Sequence, residues 1–271
     1  MSEAAPVEGG PRLLLGAPIA AQIRADVKED VAAFARRRGR APTLAVVLVG
    51  RDAPSAVYLH QILKHCRSVG IDGRLVEMPG RATAAQVREE VRGLNADPLV
   101  AGIIVQMPLP KRIPLSAVID TLDPAKDIDG LHPRNVGLMT LGYDGFLPTT
   151  AHAAVELLKR SGIRLEGRHA VVVGRSNVVG KPAALLLLRE NATVTVCHSR
   201  TADLGAETRR ADILIVAAGR PGLITGGMLK PGAVVVDVGI NVVGDRIVGD
   251  VDFESARTVA SAITPVPGGV G

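Results

Sequence analysis

The sequence contains no tryptophan, and aromatic residues make up only 2% of its 271 residues. Proteins that bind single-stranded nucleic acids stack the bases on aromatic side chains, and the basic residues of this chain are scattered rather than clustered. The formal net charge of +5 is therefore better suited to attracting small polyanionic ligands than to binding nucleic acid.

Long hydrophobic runs and cysteines are also scarce. No apolar segment approaches the roughly 18 residues of a membrane-spanning helix, so we expect no membrane insertion. Cys66 and Cys197 fall in predicted buried elements without the spacing of metal ligands, which indicates free thiols in a reducing compartment and no metal site. Residues 1–12 lack the basic and apolar regions of a signal peptide, and we expect a cytoplasmic protein.

Alternating apolar and amphipathic segments predict an α/β fold of one or two domains. In the first half of the chain, predicted buried strands over residues 43–49, 74–78 and 99–106 alternate with helical segments. This order implies parallel strands with right-handed crossovers, and open parallel sheets bind ligands beyond the carboxyl ends of their strands. Gln106 stands at one of these ends.

The segment 168–201 predicts a strand, a glycine-bounded loop, a helix and a second strand. A buried strand over 170–173 stops at Gly174, and the helix begins near Gly180 and Pro182. Backbone N–H groups and the helix dipole converge on such a loop, which favours a bound phosphate. The glycine spacing is not the full dinucleotide fingerprint, and the same residues also fit a structural β-turn-α unit.

The end of the second predicted strand favours NADP over NAD. Many NAD enzymes carry an acidic residue there for the ribose hydroxyl. This chain has His198, Ser199 and Arg200 instead, and the preceding loop contributes Arg175 and Ser176. Two guanidinium groups and several hydroxyls suit a 2′-phosphate, and no carboxylate repels it.

A second polar cluster occupies residues 123–133, where three carboxylates and a lysine lie among two prolines and a glycine. Such a segment is not a core element. It fits either a turn stabilised by its own Asp side chains or part of a binding site.

Several segments together resemble one family, the methylenetetrahydrofolate dehydrogenase/methenyltetrahydrofolate cyclohydrolase proteins. The resemblance runs from about Gly50 to the end of the chain. Its motifs include ValGlnMetProLeuPro (105–110), LysAspIleAspGly (126–130), GlyArgSerAsnValValGlyLysPro (174–182), AspValGlyIleAsn (237–241), GlyAspVal (249–251) and ThrProValProGlyGlyValGly (264–271).

The resemblance implies a homodimer whose subunit has two α/β domains with a cleft between them. Residues 1–147 would form a smaller parallel α/β domain that binds tetrahydrofolate. Residues 148–271 would form a Rossmann-type NADP-binding domain, whose last helix, expected over 252–260, is a candidate to pack back on the first domain.

Individual site residues also follow from the resemblance. Asp129 corresponds to the aspartate that binds the pterin, Tyr58 to the tyrosine that stacks on the folate ring, and Gln106 to the glutamine beside the reacting carbon. Residues expected to contact NADP are Gly174, Arg175, Ser176, Val179, Gly180, His198, Ser199, Arg200 and Ile240.

One position departs from the family pattern. The family has a catalytic lysine four residues after the tyrosine, and this chain has Ile62. Isoleucine neither donates nor accepts a proton, so we expect an NADP-dependent dehydrogenase in which cyclohydrolase activity is weakened or lost. By helical geometry Gln61 and His65 are the polar side chains on the side of Tyr58, and Lys64 is not.

Two other interpretations of the sequence stay open. One is a non-catalytic paralogue that binds folate. The other is a specialised enzyme acting on a different N-heterocycle, in which Ile62, Thr149 and Ala151 would reshape the pocket.

Overall fold

The computed structural model describes residues 10–50 and 53–271, with the side chains of residues 53–58 outside the description. The chain forms two compact units. The N-terminal unit contains Ala21–Leu147, and the C-terminal unit contains Pro148–Gly271 together with the described residues up to Ala20. Strand β1 (Arg12–Leu13) therefore belongs to the C-terminal unit, and helix α1 (Gly16–Arg38) continues from one unit into the other.

A parallel sheet of three strands forms the centre of the N-terminal unit. Strand β2 lies in the middle and pairs with β3 on one side and β4 on the other. In chain order the elements are β2 (Thr43–Val49), α2 (Ala53–Val69), β3 (Asp72–Met78), α3 (Ala84–Ala96), β4 (Val100–Val105), α4 (Leu115–Ile119) and α5 (Pro133–Leu141).

Strand β2 is buried on both faces, which explains its continuous apolar sequence. Val47 packs in one cluster with Val91 of α3. Its neighbour Val46 points to the opposite face and packs with Leu59 of α2. The sheet is thus covered by α3 on one face and by α2 on the other.

A parallel sheet of six strands forms the C-terminal unit, in the order β1-β11-β8-β7-β5-β6. Strands β9 and β10 form a separate antiparallel hairpin. The elements are α6 (Thr149–Arg160), β5 (His169–Val173), α7 (Gly180–Arg189), β6 (Thr193–Cys197), α8 (Leu204–Thr208), β7 (Ile213–Val216), β8 (Val234–Asp237), β9 (Asn241–Val243), β10 (Arg246–Val248), α9 (Phe253–Ala256) and β11 (Ala262–Ile263).

The predicted α/β fold with parallel sheets is confirmed. The last helix, however, ends at Ala256 and not at residue 260 as the sequence predicted. Residues 257–259 form a hydrogen-bonded turn instead, and the carbonyl of Val259 accepts a hydrogen bond from the N–H of Gly232 at 2.9 Å. Helix α9 packs on a short 3-10 turn at Gly226–Met228 within its own unit.

Among residues 10–50 and 53–271, none of the helices combines the length and the apolar character needed to cross a bilayer.

Candidate active site

In the N-terminal unit, Gln106 lies at the carboxyl end of the central sheet, immediately after β4. Its backbone N–H donates to the carbonyl of Val47 at 2.8 Å, which extends the pairing of β4 with β2 by one residue. Its side chain is buried, and Nε2 donates to the carbonyl of Met107 at 2.9 Å. This contact uses one N–H of the Gln106 side-chain amide, and the Oε1 atom remains an acceptor at the end of β4.

The segment that contains the LysAspIleAspGly motif lies beside β4. The N–H of Ile103 donates to the carbonyl of Lys126 at 2.7 Å, and Ile103 forms a parallel bridge with Asp127. The chain therefore runs from Asp127 in the same direction as β4. Asp129, two residues further on, lies toward the strand end that carries Gln106, and it is half-buried.

Two of the three carboxylates in this segment stabilise its own conformation. Asp123 accepts from the N–H of Ala125 at 2.9 Å, as an Asx turn does. Asp127 is almost fully buried, and its Oδ2 accepts from the N–H of His132 at 2.8 Å and from Nδ2 of Asn135 at 2.9 Å. The turn interpretation therefore accounts for Asp123 and Asp127, and the ligand role remains a prediction for Asp129.

Ile62 lies in an apolar environment on helix α2. Its half-buried side chain packs against the cluster formed by Val46, Leu48 and Leu59. Gln61 and His65, the polar alternatives, are both exposed. The backbone of Tyr58 is part of α2, but its side chain lies outside the described residues, so the predicted stacking role stays a prediction.

In the C-terminal unit, the loop 174–180 connects β5 to α7. Gly174 has a φ of 129°, and a Cβ there would overlap the carbonyl of Ala217. A Cβ on Gly180 would overlap the carbonyl of Gly174. Both positions therefore require glycine, because the loop folds back tightly on the sheet and on itself.

Ser176 orders the start of helix α7. Its Oγ accepts from the N–H of Val179 at 3.1 Å and from the N–H of Gly180 at 3.3 Å. Lys181 Nζ donates to Oδ1 of Asn177 at 2.8 Å. The loop is thus fixed by its own side chains, and the hydroxyl hydrogen of Ser176 remains a donor for a ligand.

The turn 198–201 lies next to this loop because β5 and β6 pair with Val173 opposite Cys197. The N–H of His198 donates to Oγ1 of Thr201 at 2.9 Å, and Nδ1 of His198 accepts from the N–H of Arg200 at 3.1 Å. His198 thereby shapes the turn. Residues with exposed side chains at the neighbouring strand ends are Arg175, Ser199 and Arg200.

Ile240, the remaining predicted cofactor contact, follows β8 and is 71% exposed. Its side chain is therefore available to a ligand, and its role stays a prediction.

A pair of buried carboxylates near these loops was not assigned from the sequence. Asp237 ends β8, and Asp250 follows β10. Burial raises the pKa of Asp237, hydrogen bonds from the N–H groups of Val251, Asp250 and Gly239 oppose that rise, and the nearby Asp250 adds to it. Both residues belong to family motifs, AspValGlyIleAsn and GlyAspVal, which were the available signal.

Comparison with known proteins covers both units. Residues 14–129 match the family described as tetrahydrofolate dehydrogenase/cyclohydrolase, catalytic domain, and residues 148–271 match its NAD(P)-binding domain. The bifunctional protein FolD of Rhodopirellula baltica is 51% identical to this chain, and the alignment covers 94% of this chain and 90% of that protein.

Solved structures of the same family are also similar to this chain. The bifunctional FolD methylenetetrahydrofolate dehydrogenase/cyclohydrolase of Campylobacter jejuni superimposes with a TM-score of 0.93 at 44% identity, over 96% of this chain and 92% of that one. The Trypanosoma brucei enzyme, solved with NADP cofactor and an inhibitor, gives a TM-score of 0.92 at 39% identity over the same shares, 96% and 92%.

Proposed function

The chain belongs to the tetrahydrofolate dehydrogenase/cyclohydrolase family, and from this premise we propose that it oxidises 5,10-methylenetetrahydrofolate with NADP while its cyclohydrolase reaction is impaired. The observation that carries the proposal is a contrast between two sites. The dinucleotide loop 174–180 retains both required glycines, whereas Ile62, at the position of the family's lysine, packs in an apolar cluster.

The C-terminal unit fits a dinucleotide phosphate. At Gly174 and Gly180 there is no room for a Cβ beside the carbonyls of Ala217 and Gly174, so these glycines hold the loop tightly folded between β5 and α7. At the start of α7 the N–H of Gly180 donates to Oγ of Ser176 at 3.3 Å, the N–H of Lys181 donates to the carbonyl of Ser176 at 3.0 Å, and Pro182 has no N–H. The support for a phosphate here is therefore the positive end of the helix dipole and the Ser176 hydroxyl, not free N–H groups of the helix. Arg175 and Arg200 supply positive charge for a 2′-phosphate beside the loop.

Hydride transfer depends mainly on how the folate is positioned relative to the cofactor. The hydride leaves the methylene carbon that bridges two folate nitrogens, and their lone pairs stabilise the cation that forms. NADP, when bound, accepts that hydride. No side chain must move a proton in this step, so orientation of the folate supplies most of the rate. In the proposal, Asp129 accepts hydrogen bonds from the pterin amino and ring N–H groups, and Gln106 lies beside the reacting carbon.

Hydrolysis of the methenyl product makes a different demand. Water must attack the cation and the ring must open, which requires a group that accepts and donates protons next to that water. Ile62 does neither. Gln61 and His65 are exposed, and Gln61 is an amide with no useful basicity. The proposed enzyme therefore releases methenyl-folate faster than it hydrolyses it.

Two assays on the purified protein test the proposal. We expect NADPH formation from methylene-folate, and hydrolysis of methenyl-folate at the uncatalysed rate. Ile62→Lys should raise that hydrolysis, and Ile62→Met, which is similar in size and apolar, is the matched control.

Each half of the proposal has its own contrary outcome. Fast hydrolysis by the unaltered chain would refute the argument from Ile62. Folate binding without NADPH formation would instead favour a non-catalytic paralogue, and poor folate binding would favour a different N-heterocycle.

Homodimer formation is also part of the proposal. Hairpin β9–β10 exposes apolar side chains, with Val242 at 76%, Val243 at 47% and Ile247 at 47%. Val242 and Ile247 are paired across the hairpin and lie on the same face, and exposed apolar residues of this kind support association with a second copy. Light scattering should report a dimer, and Val242→Asp should weaken it, whereas a monomeric unaltered protein would contradict the proposal.

The proposed location is the cytoplasm. Its support is that Cys66 and Cys197 are both buried free thiols, and burial raises the pKa of each of them. Neutral buried thiols suit a reducing compartment. Fractionation of the source cells tests this placement, and recovery outside the cytoplasm would contradict it.

A further inference from the structure

Asp250 is fully buried and makes an unusual set of contacts. Its Oδ2 accepts from the N–H groups of Ala218 at 2.6 Å and Gly219 at 2.8 Å. Its Oδ1 accepts from the N–H of Arg220 and from Nδ2 of Asn241, both at 2.8 Å. Three consecutive backbone N–H groups and one side-chain amide therefore converge on a single carboxylate.

Asp237 holds Asp250 in place. Oδ1 of Asp237 accepts from the N–H of Asp250 at 3.0 Å and of Gly239 at 2.9 Å, and Oδ2 accepts from Val251 at 2.9 Å. A Cβ on Gly239 would overlap the Asp250 carboxylate, and one on Gly249 would overlap that of Asp237. The glycines of the two motifs are thus required by the two carboxylates.

The backbone that Asp250 fixes adjoins the dinucleotide loop. Residues 217–220 follow β7, and Gly174 approaches the carbonyl of Ala217 so closely that a Cβ would not fit. In the sheet, β5 lies between β6 and β7, so the strand order reverses at β5. Open α/β sheets bind nucleotides in the crevice at such a reversal.

The two sides of that crevice differ. The turn 198–201 after β6 carries the groups suited to the 2′-phosphate, which places the adenosine half of the cofactor there. The loops after β7 and β8 then face the nicotinamide half. Asp250 binds the first of these loops directly, and it binds Asn241 at the end of the second.

We propose that Asp250 is a positioning residue, which fixes residues 218–220 and Asn241 in the conformation that receives the nicotinamide half of NADP. This proposal rests on the proposed function for the identity of the cofactor. Asp250 itself is not proposed to touch the cofactor. Asp250 acts through the backbone N–H groups that it binds, and Asp237 fixes the position of Asp250 by accepting its N–H.

The substitution Asp250→Asn tests the proposal. It replaces one acceptor oxygen with an NH2 group that faces N–H donors, which removes acceptors without changing volume. We expect the Kd and KM for NADP to rise about tenfold or more, as loss of a buried charge-assisted hydrogen bond predicts. The KM for methylene-folate should change by less than about twofold, because the folate contacts are predicted in the other unit.

Asn241→Ala provides a milder second variant, since it removes one of the four donors and leaves the backbone contacts. A rise of about threefold in the Kd for NADP is expected, which corresponds to part of one hydrogen bond. Asp26→Asn, at an exposed position on helix α1 in the N-terminal unit, is the matched control and should leave both constants unchanged.

Calorimetric titration with NADP, thermal unfolding and steady-state kinetics would be measured on each full-length variant. A purely structural role predicts a lower Tm with unchanged NADP constants at a temperature well below it, and that result would overturn the proposal. If Asp250→Asn fails to fold, a wild-type Kd for NADP in folded Asn241→Ala would overturn it equally. If the unaltered chain binds NADP but transfers no hydride, the proposed function fails while the calorimetric comparison still decides the role of Asp250.

Discussion

The ammonium group of Lys126 lies 2.7 Å from the carbonyl oxygen of Asn95, in the last turn of helix α3. It also donates to the carbonyls of Leu94 at 3.1 Å and Asp97 at 2.8 Å. Carbonyls at a helix end lack helical partners, and the helix dipole favours a positive charge there. The lysine of the LysAspIleAspGly motif thus stabilises the end of α3 and connects it to the turn that carries Asp129.

Replacing this lysine should therefore affect stability and folate binding together. Lys126→Met keeps an aliphatic chain of similar length and removes all three hydrogen bonds. We expect the free energy of unfolding to fall by about 2 kcal/mol and the KM for folate to rise, with the Kd for NADP unchanged. Urea unfolding and steady-state kinetics measure these effects, with exposed Lys111→Met as control. An unchanged KM for folate would show that the end of helix α3 does not influence folate binding.

The preference for NADP should depend on the guanidinium groups at the ends of β5 and β6. Arg200→Ala should raise the KM for NADP by about tenfold, the equivalent of about 1.4 kcal/mol. The rate with NAD should hardly change, because NAD lacks the 2′-phosphate. Arg189→Ala, exposed in the last turn of α7 at the opposite end of that helix, serves as the comparison. Equal losses with NAD and NADP would show that Arg200 does not read the phosphate.

Two glycine-to-alanine substitutions should have opposite effects on stability. Gly180→Ala places a Cβ against the Gly174 carbonyl and 2.8 Å from the N–H nitrogen of Arg175, so loop 174–180 must move. We expect loss of stability and of NADP binding. Gly93→Ala, inside α3 with nothing within 4 Å of the new Cβ, should instead stabilise by roughly 0.5–1 kcal/mol. Thermal unfolding with and without NADP distinguishes these outcomes, and normal NADP binding by Gly180→Ala would be contrary to the loop geometry.

Acid stability should depend on Asp212. Lys230 Nζ lies 2.6 Å from its Oδ1, and the N–H of His169 donates to Oδ2 at 2.9 Å, and these contacts lower the pKa of Asp212 below its ordinary value of 3.8. The stabilisation is therefore present above pH 3.8 and is lost as pH falls through the lower native pKa. Asp212→Asn should destabilise at pH 6 but much less at pH 2.5, as measured by urea unfolding. If the variant lost the same free energy of unfolding at both pH values, the loss would come from packing and not from the charge of Asp212. Asp245→Asn, at an exposed position, is the control.

Local patterns were sufficient for the strongly apolar strands. Strand β2 has the predicted bounds, since an uninterrupted apolar run flanked by turn residues has few alternatives. Helix α5 was missed, although a proline at the first helical position favours a helix start, because the preceding residues are rich in turn formers. Asp127 and His132 stabilise its beginning through contacts that depend on the folded turn.

The hairpin β9–β10 was missed for a different reason. Two short apolar strands are separated by Gly244, which has a φ of 61°, and Asp245. Such a pair of residues is a hairpin signal, but strands of three residues make it a weak one. The carboxylate pair lay beyond local reasoning altogether. Asp250 binds residues about thirty positions earlier in the chain, and only the assembled sheet brings them together. The LysAspIleAspGly motif predicts a ligand for Asp129. It does not show that Lys126, in the same motif, stabilises the end of helix α3.

Strand β1 has a practical consequence for dissecting the molecule. It pairs with β11, and the N–H of Leu14, a fully buried residue, donates to the carbonyl of Ile263 at 2.9 Å. A recombinant fragment that starts at Pro148 would lack this strand. Such a fragment would expose the edge of β11 to self-association, so the cofactor-binding unit is better expressed with residues 10–20 fused to it than as a simple truncation.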